Sequence, residues 1–195
     1  MHSYSIDTEE RRNVICYLTI LSMVIYLGLI HFISKYDAPD IITIPTPFVI
    51  FGGLYLLFEK VLWKFKIFSF VIKTPNLNGD WQGQYESSYK GMIIPAVLKI
   101  KQSWTKAEII SINGDTQSNS SMAGIFTKGG GEISLKFEYN NDSNACMKDG
   151  RPSHGGFTNL KLDTKEKILH GSYYTDRNRQ TYGSAYFHYV STKQK

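Results

Sequence analysis

Residues 14–34, VICYLTILSMVIYLGLIHFIS, contain no formally charged side chain, and their number matches the roughly 20 residues an α-helix needs to cross a bilayer core. A transmembrane helix here constrains everything that follows. A cleaved signal peptide is the bland alternative. Against it, the run is long for such a segment, no small-residue cleavage site closes it, and a second uncharged run follows at residues 41–58, ending at Glu59 and Lys60. Pro45 and Pro47 fall near the start of that second run, where a missing amide costs least. The intervening KYDAPD, residues 35–40, has room only for a hairpin turn. The expectation is a two-helix transmembrane region, 1–75, with helices at about 14–34 and 41–62.

Charge sets the orientation. Arg11 and Arg12 precede the first helix, and Lys60, Lys64, Lys66 and Lys73 follow the second, whereas the hairpin carries Lys35 offset by Asp37 and Asp40. Basic residues stay on the cytoplasmic side, so both termini are expected there. WKFKIFSFVIK, residues 63–73, interleaves aromatics with lysines and reads as a continuation of the second helix at headgroup level, stopped by Pro75.

The mean hydropathy of −0.24 averages this apolar first third with a polar, Tyr- and Gly-rich remainder. A net charge of +5 without a long basic run argues against duplex DNA or RNA as the partner and leaves small anions open. Two cysteines, Cys16 and Cys146, exclude a disulfide framework and a four-cysteine zinc site.

After Pro75 the pattern becomes alternating, with recurrent turn signals. Eight strands are expected, at about 80–89, 93–103, 106–113, 121–127, 132–140, 156–163, 167–175 and 179–190. Closed on themselves they make an eight-stranded antiparallel up-and-down β-barrel over residues 76–195. The longer polar loops, 114–120 and 141–155, fall at one end with Asp176, Arg177 and Asn178, so that end is the expected mouth, pointing away from the bilayer.

Alternation points Trp81, Gly83 and Tyr85 inward, along with Ile133, Leu135, Phe137 and Tyr139, and likewise Leu169, Gly171, Tyr173 and Thr175. By the same rule Arg179, Thr181, Gly183, Ala185 and Phe187 line the last strand. Near the mouth Tyr85, Tyr139, Tyr173, Thr175, Arg179 and Thr181 would converge, with Arg151 and Arg177 reachable from the loops. Guanidinium forks, hydroxyls and aromatic faces together suit a ligand bearing phosphates and bases. Set against this, barrel tyrosines are commonly core residues with a tethered hydroxyl, and a turn arginine such as Arg177 is as readily just solvated. Trp81 reads as a structural plug at the closed end.

Catalytic signatures are thin. The histidines have no ligand spacing, no Walker loop or G-x-S-x-G is present, and Gly129–Gly131 precedes no helix, so neither a metal nor a catalytic site is expected. Cys16, Ser22, Gly28, His31, Gly52 and Gly53 offer small or polar positions for helix contact, a weak signal.

Two transmembrane helices, an aromatic and basic link, and a barrel opening with LNGDWQGQY and closing with HGSYYTDRNRQTYGSAYF resemble one family in their order. It is that of the SMODS-associating, two-transmembrane, β-strand-rich effectors of CBASS antiphage systems, also called CD-NTase-associated protein 15. The resemblance covers nearly the whole chain and rests on architecture. It implies a non-enzymatic effector, without a cofactor, in the bacterial inner membrane. The barrel would bind a cyclic dinucleotide made by a cognate CD-NTase. Binding would drive oligomerisation, disruption of the membrane and abortive infection. The mouth residues named above would carry the sensing. The leading rival from the residues alone is a membrane-tethered, lipocalin-like barrel carrying a lipid or other apolar molecule, which predicts an apolar interior throughout. An interaction module that binds a protein through its loops, and more distantly an enzyme, are the other readings.

Overall fold

A computed structural model of the chain describes residues 1–35, 44–114, 116–127, 132–141, 154–177 and 179–191. Two compact units emerge, Thr8–Lys73 and a barrel unit composed of Met1–Asp7 with Thr74–Lys195.

The first unit holds two helices, α1 (Glu10–Lys35) and α2 (Pro47–Lys60), which pack against each other. With no proline or glycine before Gly28, α1 runs for 26 residues, about 39 Å at about 1.5 Å per residue. It is the one helix among the described residues long and apolar enough to cross a membrane. Glu10, Val14, Leu18 and Ser22 form a buried stripe at four-residue spacing. The other faces leave Tyr17, Ile20, Val24, Leu27 and Phe32 exposed, far more apolar surface than water tolerates. α2 starts with Pro47 in its first turn and has 14 residues, about 21 Å. It is shorter than the helix expected at 41–62, of which residues 41–43 lie outside the described residues. Nor does it continue through 63–73: the chain breaks at Val61 into two 3₁₀ turns, Leu62–Lys64 and Lys66–Phe68. Within this unit the Glu10 carboxylate accepts the Lys73 N–H at 2.7 Å.

The second unit is a closed barrel of nine strands: β1 (His2–Ile6), β2 (Gly79–Ser87), β3 (Ile93–Gln102), β4 (Lys106–Asn113), β5 (Thr116–Phe126), β6 (Ile133–Asn141), β7 (His154–Asp163), β8 (Ile168–Thr175) and β9 (Tyr182–Ser191). β2 to β9 form the expected antiparallel meander, closed through β2 and β9. The expected eight-stranded up-and-down barrel is corrected by β1. β4 and β5 pair from Asn113↔Thr116 to Ile110↔Asn119 and then separate. Into the gap goes β1, antiparallel to β4 at His2↔Ala107 and parallel to β5 from Tyr4↔Ala123 to Ile6↔Ile125. Asp7 closes the insertion, its carboxylate accepting the Thr127 N–H. β5 also begins at Thr116, so the loop expected at 114–120 is mostly strand, reached by a hairpin at Gly114. The turn at 128–131 and the loop 142–153 lie outside the described residues.

Alternation sorts the side chains as expected. Leu98, Ile109, Ile125, Leu135, Leu160, Leu169 and Phe187 fill the interior. Each such side chain taken out of water is worth about 1.5–3 kcal/mol. Trp81 lies at the closed end, its indole N–H donating to the Leu77 carbonyl at 3.0 Å. Gln102 latches the same end: its side-chain oxygen accepts the Leu77 N–H and its amide donates to the Tyr4 hydroxyl and the Pro75 carbonyl.

Candidate functional site

The β2–β3, β4–β5, β6–β7 and β8–β9 turns share one end of the barrel, and the inward positions there change from aliphatic to polar. Ser111 on β4, Ser118 on β5, Asn141 on β6, His154 on β7 and Thr181 before β9 are all buried, as is Thr158, deeper on β7 and level with Phe137 and Tyr173. Beneath them is an aromatic floor. Tyr85 meets Tyr173 edge-on at 5.0 Å and Phe187 at 5.2 Å, and Phe137 and Tyr139 lie 6.4 Å apart. The interior is therefore a packed apolar barrel capped by a polar layer at the mouth, with Gln102 the buried polar side chain at the closed end.

Hydrogen bonds give the layer a direction. The Ser111 hydroxyl donates to Asn113 Oδ1 at 3.2 Å, so its bond with the Tyr85 hydroxyl, also 3.2 Å, has the phenol as donor. A relay thus climbs from the floor to the rim. Burial pushes the Tyr85 phenol up to about 12, with the Ser111 bond pulling the other way and the Tyr173 hydroxyl adding to the rise. Tyr139 is half-buried; burial again raises its phenol, Tyr85 and Tyr173 raise it further, and the Arg179 cation offsets part of this.

The other expected site residues divide. Tyr85, Tyr139 and Tyr173 meet at the floor as alternation requires. Thr175 and Thr181 come together but bond each other, their hydroxyls 3.1 Å apart and the Thr181 N–H donating to Thr175 Oγ1 at 2.7 Å. They fasten the β8–β9 turn. Arg179 is not an inward strand residue. β9 begins at Tyr182, and Gln180 at φ +51° breaks the alternation, which leaves Arg179 exposed in the turn. There its guanidinium donates to His154 Nε2 at 3.3 Å, which requires a neutral imidazole with its proton on Nδ1. Arg177 is exposed in the same turn, and Arg151 lies outside the described residues. Asp176 ties this turn to β7, its carboxylate accepting the Gly155 N–H at 2.8 Å.

Sequence reasoning did not select His154, Thr158, Asn141, Ser111 or Ser118. Their signal was a small or polar residue at an inward position in the mouth-side half of its strand.

Fold and site together define a small closed β-barrel with a packed core and one polar, cationic rim, joined to an apolar helical unit. The chain belongs to the Cap15 cyclic dinucleotide receptor domain family, whose profile it matches over residues 72–188, more than half its length. CD-NTase-associated protein 15 of Yersinia aleksiciae is 31% identical over 136 residues, which cover 69% of this chain and 65% of that relative. The chain thus matches slightly less than two thirds of that relative's length. The family match begins near β2 and takes in neither β1 nor the helices.

Proposed function

We propose that this chain is the membrane effector of a CBASS antiphage system, in which the polar end of the barrel binds a cyclic dinucleotide from a cognate CD-NTase. The observation that carries the reading is the rim itself, in a chain of this family. Arg179 makes no ion pair among the described residues and stands beside an imidazole and the tyrosine floor. A phosphate diester is the partner a guanidinium takes in a fork, and aromatic rings stack on bases. Tyr85, Tyr139, Arg151, Tyr173, Thr175, Arg177, Arg179 and Thr181 remain the proposed contacts, with Thr175 and Thr181 shaping the turn that presents the arginines. The site does its work by binding alone, without catalysis, cofactor or metal.

Connectivity supports two spans. β1 runs parallel to β5 and so ends where β2 begins, at the closed end of the barrel. An insertion that leaves and rejoins one soluble body at the same end crosses a bilayer an even number of times. If α1 crosses, the segment 41–62 containing α2 returns, and the termini and barrel are cytoplasmic, at the bacterial inner membrane. A return helix of about 21 Å in a core of about 30 Å thins the bilayer around it. Ligand-driven oligomerisation would concentrate such thinned patches and disrupt the membrane, ending in abortive infection. A carrier of lipid or another apolar molecule is less well supported, since the space it would need holds Leu98, Leu160, Leu169 and Phe187. Calorimetric titration of the full chain in nanodiscs with a panel of cyclic dinucleotides tests the reading. Micromolar or tighter binding of one member is expected, and no binding across the panel contradicts it.

A further inference from the structure

Among the described residues, three polar groups near the mouth end of β7 lack the partners that their burial or charge calls for. Thr158 is 0% exposed, points inward with Leu160, and its hydroxyl has no hydrogen bond among the described residues. The Tyr139 hydroxyl makes none of those described either, although its ring lies across Gly156, where a Cβ would overlap the phenol. Arg179 bonds a neutral imidazole. Buried polar atoms are nearly always satisfied, so an orphan in a binding layer asks for an absent acceptor or donor.

The register explains what that absent group is. Thr158 sits between Phe137 on β6 and Tyr173 on β8, and Gly156, two residues nearer the mouth, pairs with Tyr139. The Tyr139 ring therefore lies over Gly156, in a slot between Thr158 and the mouth end of the strand. A planar base fits that slot once the phenol swings off the glycine, while the phosphates stay at the rim with Arg179. We propose that Thr158 is a specificity-determining residue, its hydroxyl reading the edge of a nucleobase that takes the place of the Tyr139 ring. The proposal rests on the cyclic dinucleotide reading above and adds which group discriminates between bases.

The test is Thr158→Val in the full chain, with calorimetry against cyclic dinucleotides of purine–purine, purine–pyrimidine and pyrimidine–pyrimidine composition, and with thermal melting. An orphan hydroxyl gives no stability, so the melting temperature should hold or rise. Affinity for the preferred ligand should fall by about 5- to 100-fold, the range spanned by one buried hydrogen bond, with weaker losses for the other members. Thr158→Ser, which keeps the hydroxyl, should retain the rank order of ligands. Unchanged affinity, an equal loss across the panel, or a lowered melting temperature in Thr158→Val would each overturn the assignment while leaving the wider reading intact. A wild-type chain that binds no member of the panel overturns both.

Discussion

Tyr4 carries the most exacting test of the barrel, because it belongs to the strand that joins the N-terminus to a sheet formed far along the chain. Its ring is 2% exposed, and its hydroxyl donates to the Trp104 carbonyl at 2.7 Å and accepts from the Gln102 amide at 3.3 Å. Tyr4→Phe keeps the ring and strands both partners in the closed end, which costs about 1–3 kcal/mol. For a barrel of this size that lowers the melting temperature by roughly 4–10 °C. Tyr4→Ala adds the cavity of an absent aromatic ring, about 3–5 kcal/mol more, and should leave little folded barrel at 37 °C. Ser3→Ala, exposed on the same strand, should stay within about 0.5 kcal/mol of wild type. The assay is near-ultraviolet circular dichroism of the full chain in detergent during heating. A Tyr4→Phe melt superimposable on wild type would refute the docking of β1, and with it the argument for an even number of crossings.

Arg179→Ala should weaken cyclic dinucleotide binding by about 10- to 100-fold, the cost of a lost charge-assisted bond, with no change in melting temperature because the side chain is exposed. Titrating the variant at low and high salt checks it, since the wild-type advantage should shrink with screening. Stability at alkaline pH should follow the buried phenols. Tyr85 titrates at about 12 when folded against an ordinary value of 10.0, so the folded state holds its proton longer. That contribution is intact below about pH 10 and is lost as pH rises toward about 12, read as tyrosinate absorbance appearing together with unfolding. Tyrosinate signal from all tyrosines at their ordinary pH in a still-folded barrel would contradict it.

The meander was legible because each strand from β2 to β9 alternates long enough for one face to show. β1 was not. His2–Ile6 has five residues, of which only Tyr4 is fully buried, and its partners lie about a hundred residues onward. Alternation also cannot reveal a parallel strand wedged into an antiparallel hairpin. Arg179 was placed inward because period two was carried through the turn, and the positive φ of Gln180 ends that period. His154 was missed because β7 starts at His154, two residues before the start expected at Gly156. Thr158 was invisible for another reason. A hydroxyl in a strand is ordinary, and only three dimensions reveal that it lacks a partner. The helical unit was read correctly in the apolar length of α1. The interruption after Val61 was not anticipated, since aromatic and lysine residues suit an interfacial helix and a 3₁₀ turn alike.

The most direct test of the central claim is dye release from liposomes carrying the full chain, titrated with the same cyclic dinucleotides. Release that saturates with the one ligand bound at the barrel, and is lost in Arg179→Ala, is the predicted result. Leakage independent of ligand, or tight binding with no leakage, would contradict the coupling of barrel to membrane.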